Sequence, residues 1–109
     1  MPLFSFKEPK YKEVAKGVSM RSAYLEETML ISFELEPRAT VPAHKHPHEH
    51  ITLILEGEME FTLGDEIDIL RSGDGATLPS NVEHKAVILS HPVKAVDAWY
   101  PVRDDYKLE

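Results

Sequence analysis

The chain has no cysteine in 109 residues. Disulfides therefore add nothing to its stability, and any metal must be held by nitrogen and oxygen ligands. No apolar run approaches the ~20 residues that a membrane helix requires, so no membrane partner is expected. The first residues, Met1 to Glu8, lack the basic-then-apolar layout of a signal peptide, and a cytoplasmic location is expected. Positive charge is scarce and scattered: 12 Lys and Arg stand against 19 Asp and Glu, a net charge of −7. Binding nucleic acid takes clustered positive charge, so no nucleic-acid partner is expected either. Repeats, low-complexity segments and helix-period stretches are also missing.

What remains is the composition of an ordinary globular domain, 42% hydrophobic and 28% charged. One domain is expected over 1–109, with an N-terminal arm at 1–17, a barrel at 18–101 and a tail at 102–109. In the arm, Phe4, Phe6, Tyr11 and Val14 are apolar, Pro2 and Pro9 break any helix, and Gly17 ends the stretch. From there the pattern is β. Strands are expected at 18–25, 29–35, 51–55, 59–63, 67–70, 76–78, 85–89 and 93–100, with 40–41 leading into a histidine-rich stretch. Met29, Ile31, Phe33 and Leu35 share one face by the two-residue period. Ile51 to Leu55 reads as a strand buried on both faces. Gly64–Asp65 suits a two-residue hairpin turn. About nine short strands with no helix mean an all-β sandwich or barrel.

The histidines are concentrated. Four of six lie between His44 and His50, in Pro42-Ala43-His44-Lys45-His46-Pro47-His48-Glu49-His50, and His84 follows 34 residues later. His44, His46 and His50 differ by even numbers and fall on one face of an extended strand. Three imidazoles on one strand face, joined by His84 from a neighbouring strand, can converge on one divalent transition metal ion, whether Zn, Ni, Fe, Mn, Co or Cu. Neutral ligands leave the ion its positive charge, which can attract an anionic substrate to an acidic protein. The plainer reading, solvated histidines in a Pro-rich turn, is assigned to His48, which the Pro47 kink turns away, and to His91. Glu49 has odd parity and is expected in solvent, with a fifth ligand or a general base as its alternatives.

A second set sits near the C-terminus. Asp97 and Trp99 share a face, opposite Val96, Ala98 and Tyr100, and Arg103 follows Pro101. An aspartate inside a barrel is costly unless paired or functional. The alternatives are an outward-facing Asp97 or a structural Asp97–Arg103 ion pair.

These residues carry a resemblance. His44-Lys45-His46, a ligand at position 50 and Gly57 resemble the first cupin motif; Gly73, Pro79, Asn81 and His84 resemble the second. The resemblance covers roughly 28–100 and implies a jelly-roll barrel, the cupin-type double-stranded β-helix, with the metal inside. His50 stands where cupins usually carry Glu or Gln, and Asn81 where they carry Gly. Asn is the residue next most tolerant of positive φ, so the turn is expected to survive.

The stretch His46-Pro47-His48-Glu49-His50 and the ending Asp97-Ala98-Trp99-Tyr100-Pro101-Val102-Arg103-Asp104-Asp105 are similar to the pectin-degradation cupins of the KdgF type. That likeness implies metal ligands His44, His46, His50 and His84, active-site residues Asp97, Trp99 and Arg103, and conversion of 4,5-unsaturated uronates to linear keturonates. Here Trp99 replaces the usual Phe. Two other functions stay open: an iron or copper dioxygenase, which all-histidine sites also suit, and a non-catalytic small-molecule or metal-binding module. A homodimer is expected, with the arm's Phe4, Phe6 and Tyr11 crossing to the second copy. Metal loss is expected below about pH 6, because imidazole must be neutral to ligate and its ordinary pKa is ~6.5.

Overall fold

The computed structural model describes residues 3–7 and 11–107. Pro2 and Pro9 of the arm lie outside the described residues. Ten strands run in order: β1 (Lys12–Ala15), β2 (Val18–Tyr24), β3 (Met29–Leu35), β4 (Thr40–His44), β5 (Glu49–Glu56), β6 (Glu58–Leu63), β7 (Glu66–Arg71), β8 (Gly75–Leu78), β9 (His84–Ile88) and β10 (Val93–Tyr100). A 3-10 turn, Asp104–Tyr106, follows. The strands form two antiparallel sheets, ordered β1-β2-β3-β10-β5-β8 and β4-β9-β6-β7. This is the expected jelly-roll barrel. No helix among the described residues is long and apolar enough to cross a membrane.

Alternation drives the closure. On β10, Val93, Ala95, Asp97 and Trp99 are buried while Lys94, Ala98 and Tyr100 are exposed. On β5, His50, Thr52 and Ile54 point inward. Met20, Ile31, Ile54, Ile88 and Val93 are the largest fully buried side chains. Each contributes about 1.5–3 kcal/mol of transfer free energy.

Three differences from the expectations have local causes. Residues 51–55 are not buried on both faces: Ile51, Leu53 and Leu55 are 58%, 42% and 45% exposed. An apolar run hid the alternation, because the outward positions are as hydrophobic as the inward ones. Lys12–Ala15, inside the expected arm, is a strand that pairs with β2. Thr40–His44 is a full strand despite Pro42; it sits at a sheet edge, pairing only with β9, where a missing N–H is tolerated.

Turn chemistry follows the residues chosen. Gly64 adopts φ 58 in the two-residue β6–β7 hairpin. Gly57 adopts φ 89, and a Cβ there would collide with the Pro92 carbonyl oxygen. Asn81 adopts φ 62, as expected for an Asn at that turn position. Its backbone N–H donates to the His46 carbonyl at 2.7 Å, tying the two histidine-bearing segments together.

Candidate metal centre and its cavity

Register places the histidines. His44 on β4 pairs directly with His84 on β9, and β5 brings His50 from the other sheet. The loop between β4 and β5 carries His46. One ring nitrogen from each of His44, His46 and His84 lies within 4.8 Å of the others, a group able to bind a metal ion.

Hydrogen bonding prepares these three rings. His44 Nδ1 stands 2.8 Å from the Pro42 carbonyl, His46 Nδ1 3.0 Å from that of His48, and His84 Nδ1 3.0 Å from that of Val82. A carbonyl oxygen only accepts, so each Nδ1 donates and carries the proton. In the neutral ring the lone pair is then on Nε2. Locking the tautomer through Nδ1 is how ligand histidines are generally oriented. His46 Nε2 is buried without a hydrogen-bond partner, the condition of a group waiting for a cation. Burial lowers the pKa of His46 to about 4 and that of His84 in direction, so both stay neutral at pH 7. Backbone hydrogen bonds to His48 and Val82 oppose the shifts in part. The donor set fits a transition metal held by imidazole.

His50 differs. Its Nδ1 has no partner, and its Nε2 lies 3.8 Å from Asp97 Oδ2. Its ring stacks on Trp99 at 4.1 Å and 14° between planes. Its centroid is 5.2 Å from that of His46 and 5.3 Å from that of His84. So it borders the three-histidine group without the same tautomer lock. Burial lowers its pKa to about 3.

Asp97 faces the interior at 7% exposure, which excludes the outward alternative. No Asp97–Arg103 ion pair forms: Arg103 Nε donates to Asp105 Oδ1 at 3.0 Å and Oδ2 at 3.2 Å. Burial raises the Asp97 pKa to about 7, against a partial downward pull from the Thr52 and Trp99 side chains. Asp97 Oδ1 and Trp99 Nε1 are both buried without a hydrogen-bond partner of good geometry.

Trp99 gives one face to His50 and sits among Met20, Met29 and Ile31. Its structural place is to shape the wall. The Arg103 guanidinium stands 4.0 Å from the centre of the Tyr106 ring and 5.5 Å from that of Trp99. With Nε held by Asp105, its two terminal amino groups make no ion pair among the described residues.

His48 departs from the expectation. Its ring is 5.6 Å from His46 and 5.9 Å, edge-on, from Trp99, and its Nδ1 is buried without a partner. Pro47 does not turn it away, because its ring packs against the site wall. Glu49 and His91 are exposed, as expected. Sequence reasoning gave no role to Asp105 or Tyr106, although Asp105 closes the C-terminal stretch that carries the family resemblance and Tyr106 follows it.

A cavity of about 350 Å³ has His44, His50, His84, Asp97, Arg103 and Tyr106 among its lining residues.

The structure of KdgF from Halomonas sp. superposes with a TM-score of 0.88 at 27% identity, covering 94% of each chain. An RmlC-like cupin from Shewanella frigidimarina gives 0.88 at 26% identity, again over 94% of each. The H2HPP isomerase of Bacillus subtilis is 30% identical over 82 residues, 74% of this chain. Quercetin 2,3-dioxygenase of the same species is 42% identical over 53 residues, 49% of this chain. This chain spans 35% and 15% of the length of those two relatives. Residues 31–99 match the cupin-domain family, and that span contains β4 and β9, His44, His46, His50 and His84, and Asp97 and Trp99; the chain belongs to the cupin family.

Proposed function

We propose that this cupin is a metal-dependent enzyme acting on a small anionic sugar or keto acid, with KdgF-like conversion of unsaturated uronates to linear keturonates as the specific reaction. The observation that carries the reading is a buried carboxyl with a pKa near 7 beside the histidine group and the Arg103 fork, within one cavity. His44, His46 and His84, with His50 as a fourth ligand, would hold one divalent ion, which when bound would supply Lewis acidity toward a hydroxyl or carbonyl oxygen of the substrate. Arg103 clamps the substrate carboxylate through its two terminal amino groups, a geometry suited to bidentate binding. Asp97 holds or releases a proton at Oδ1 near neutral pH, which suits a general acid or base. Trp99 fixes the ring plane of His50 and keeps water from that wall. Cytoplasmic location and a homodimer complete the proposal; a monomer by light scattering at micromolar protein would reject the dimer.

The test is turnover of a 4,5-unsaturated monouronate by metal-loaded protein. Asp97→Asn is expected to lower kcat by 10²–10⁴, the usual range for one acid–base group. Intact turnover in that variant would sink the mechanism. The likeness to quercetin 2,3-dioxygenase favours a second reading, an iron- or copper-dependent dioxygenase. Oxygen uptake with a flavonol or diketone, lost on chelation, would select it.

A further inference from the structure

Two steps down each strand from the polar groups, the barrel interior changes character. On β9, His84 is followed inward by Ala86 and then Ile88. On β10, Trp99 and Asp97 give way to Ala95 and then Val93. On β5, His50 and Thr52 give way to Ile54. The same cavity that holds His44, His84 and Arg103 continues past this boundary, where its walls include Phe33, Val41, Met59, Phe61, Ala86 and Ala95. Ala86 and Ala95 come from opposite sheets. Their single-carbon side chains leave open a space that longer residues would fill. Thr40 on edge strand β4 and Lys85 on its neighbour β9 also line the cavity, and both are exposed positions of their strands.

We propose that this chamber is a second subsite, and that the cavity takes a small carboxylate whose far end is an apolar alkyl or aryl group. The carboxylate sits at Arg103 and the apolar end lies among Phe33, Phe61, Ala86 and Ala95. This rests on the reading of Arg103 as the carboxylate clamp. The chemistry follows from the walls. A hydroxyl carried into the chamber would leave water and find no partner, which is unfavourable. A methylene carried there gains the full benefit of leaving water. A cavity of about 350 Å³ is within the usual range for small-ligand sites and has room for both ends. A monouronate, with hydroxyls around its ring, is served by the polar end alone.

The experiment is calorimetric titration of the zinc-loaded full chain with straight-chain carboxylates from acetate to hexanoate and with 3-phenylpropionate. Affinity is expected to rise about three- to fourfold per added methylene, the transfer increment of a CH₂ group. Ala95→Leu should flatten that rise while circular dichroism and metal content stay unchanged. Arg103→Gln should lower the whole series by one factor and leave the slope intact. A flat series in the unaltered protein overturns the subsite, and it does so whether or not Ala95→Leu folds. An unchanged intercept in Arg103→Gln with the slope retained supports the chamber and overturns the clamp, so the two failures read differently.

Discussion

Asp97 Oδ2 and His50 Nε2 are 3.8 Å apart in the barrel interior, yet they do not form an ion pair at neutral pH or below. Burial raises Asp97 to about 7 and lowers His50 to about 3, so between those values both are mainly uncharged. An aspartate beside a protonated histidine would show the opposite shifts. The contact is better described as an acid kept protonated next to a ring kept neutral.

This arrangement fixes how stability depends on pH in metal-free protein. A carboxyl raised from 3.8 to about 7 binds more protons folded than unfolded between those values. Its contribution is present below pH 3.8 and is lost as pH rises through 7. At about 1.4 kcal/mol per unit, the loss is on the order of a few kcal/mol. The histidines slope the other way: His46 and His50, lowered from 6.5 to about 4 and about 3, withdraw stability as pH falls below 6.5. Asp97→Asn should remove only the first effect. In urea unfolding of chelator-treated protein, the stability of the variant minus that of the unaltered chain should grow from pH 4 to pH 8. Parallel pH curves for the two proteins would contradict the assignment of the shift to Asp97.

The three locked rings and the one unlocked ring should behave differently toward metal. Substituting a partner of a ligand histidine typically costs 10–100-fold in affinity, and removing the ligand itself should exceed that. His44→Ala, His46→Ala and His84→Ala are each expected to lose more than about 100-fold in zinc affinity, measured by competition with a chromophoric chelator. His50→Gln should retain metal, since an amide oxygen can take the same place. The unaltered chain should melt at a lower temperature after chelation, because a metal that binds only the folded state stabilises it by mass action. Burial holds His46 and His50 neutral well below pH 6.5, so proton competition at these rings begins lower than the free imidazole value implies. Equal losses for all four substitutions would mean that His50 is an equivalent ligand and that the tautomer lock has no bearing on affinity.

Much of this site could be read before the fold was known, and the reasons are specific. His44 and His46 are two apart, and His84 follows a turn that Asn81 can make, so a shared metal group was legible from spacing. Asp97 and Trp99 were legible as sharing one face of β10 by the two-residue period, with an inward or outward aim left open until the burial of the strand settled it. Three things were not. The exposure of Ile51, Leu53 and Leu55 was hidden because an outward face rich in Ile and Leu has no polar beat to mark it. The inward packing of His48 depends on Trp99, 51 residues away in sequence, which no local rule reports. The hold of Asp105 and Tyr106 on Arg103 needs the backbone of the 3-10 turn, and periodicity says nothing about a turn of three residues.

Arg103 is held at one end and free at the other, which separates two kinds of substitution. Arg103→Lys keeps the charge but loses the planar fork, the Asp105 bond and the stacking on Tyr106. It is expected to weaken binding of small carboxylates such as propionate by more than tenfold, consistent with ~1.5–3 kcal/mol for a hydrogen bond to a charged group. Asp105→Ala leaves the guanidinium intact and only unpins it, so a loss of less than tenfold is expected, appearing in KM rather than kcat. Calorimetry and steady-state kinetics on the two variants measure this directly. A larger loss for Asp105→Ala than for Arg103→Lys would show that Asp105 does more than aim its neighbour.

Gly57 tests the frame that holds β5 against β10. It follows the last residue of β5, adopts φ 89 and leaves no room for a Cβ beside the Pro92 carbonyl and Val93. Val93 is fully buried and begins β10, the strand that carries Asp97 and Trp99 toward the site. Gly57→Ala therefore combines left-handed strain, of order 1–3 kcal/mol, with displacement of the loop before β10. For a chain of this size each kcal/mol lowers the melting temperature by ~4–8 °C. A drop of roughly 5–20 °C is expected by calorimetry. Gly73 is the control: its φ is 91, but a Cβ there would meet nothing within 4 Å. Gly73→Ala should show the strain alone and so a smaller drop. If the two variants melted together, the collision at Pro92 would not be what the fold demands of position 57.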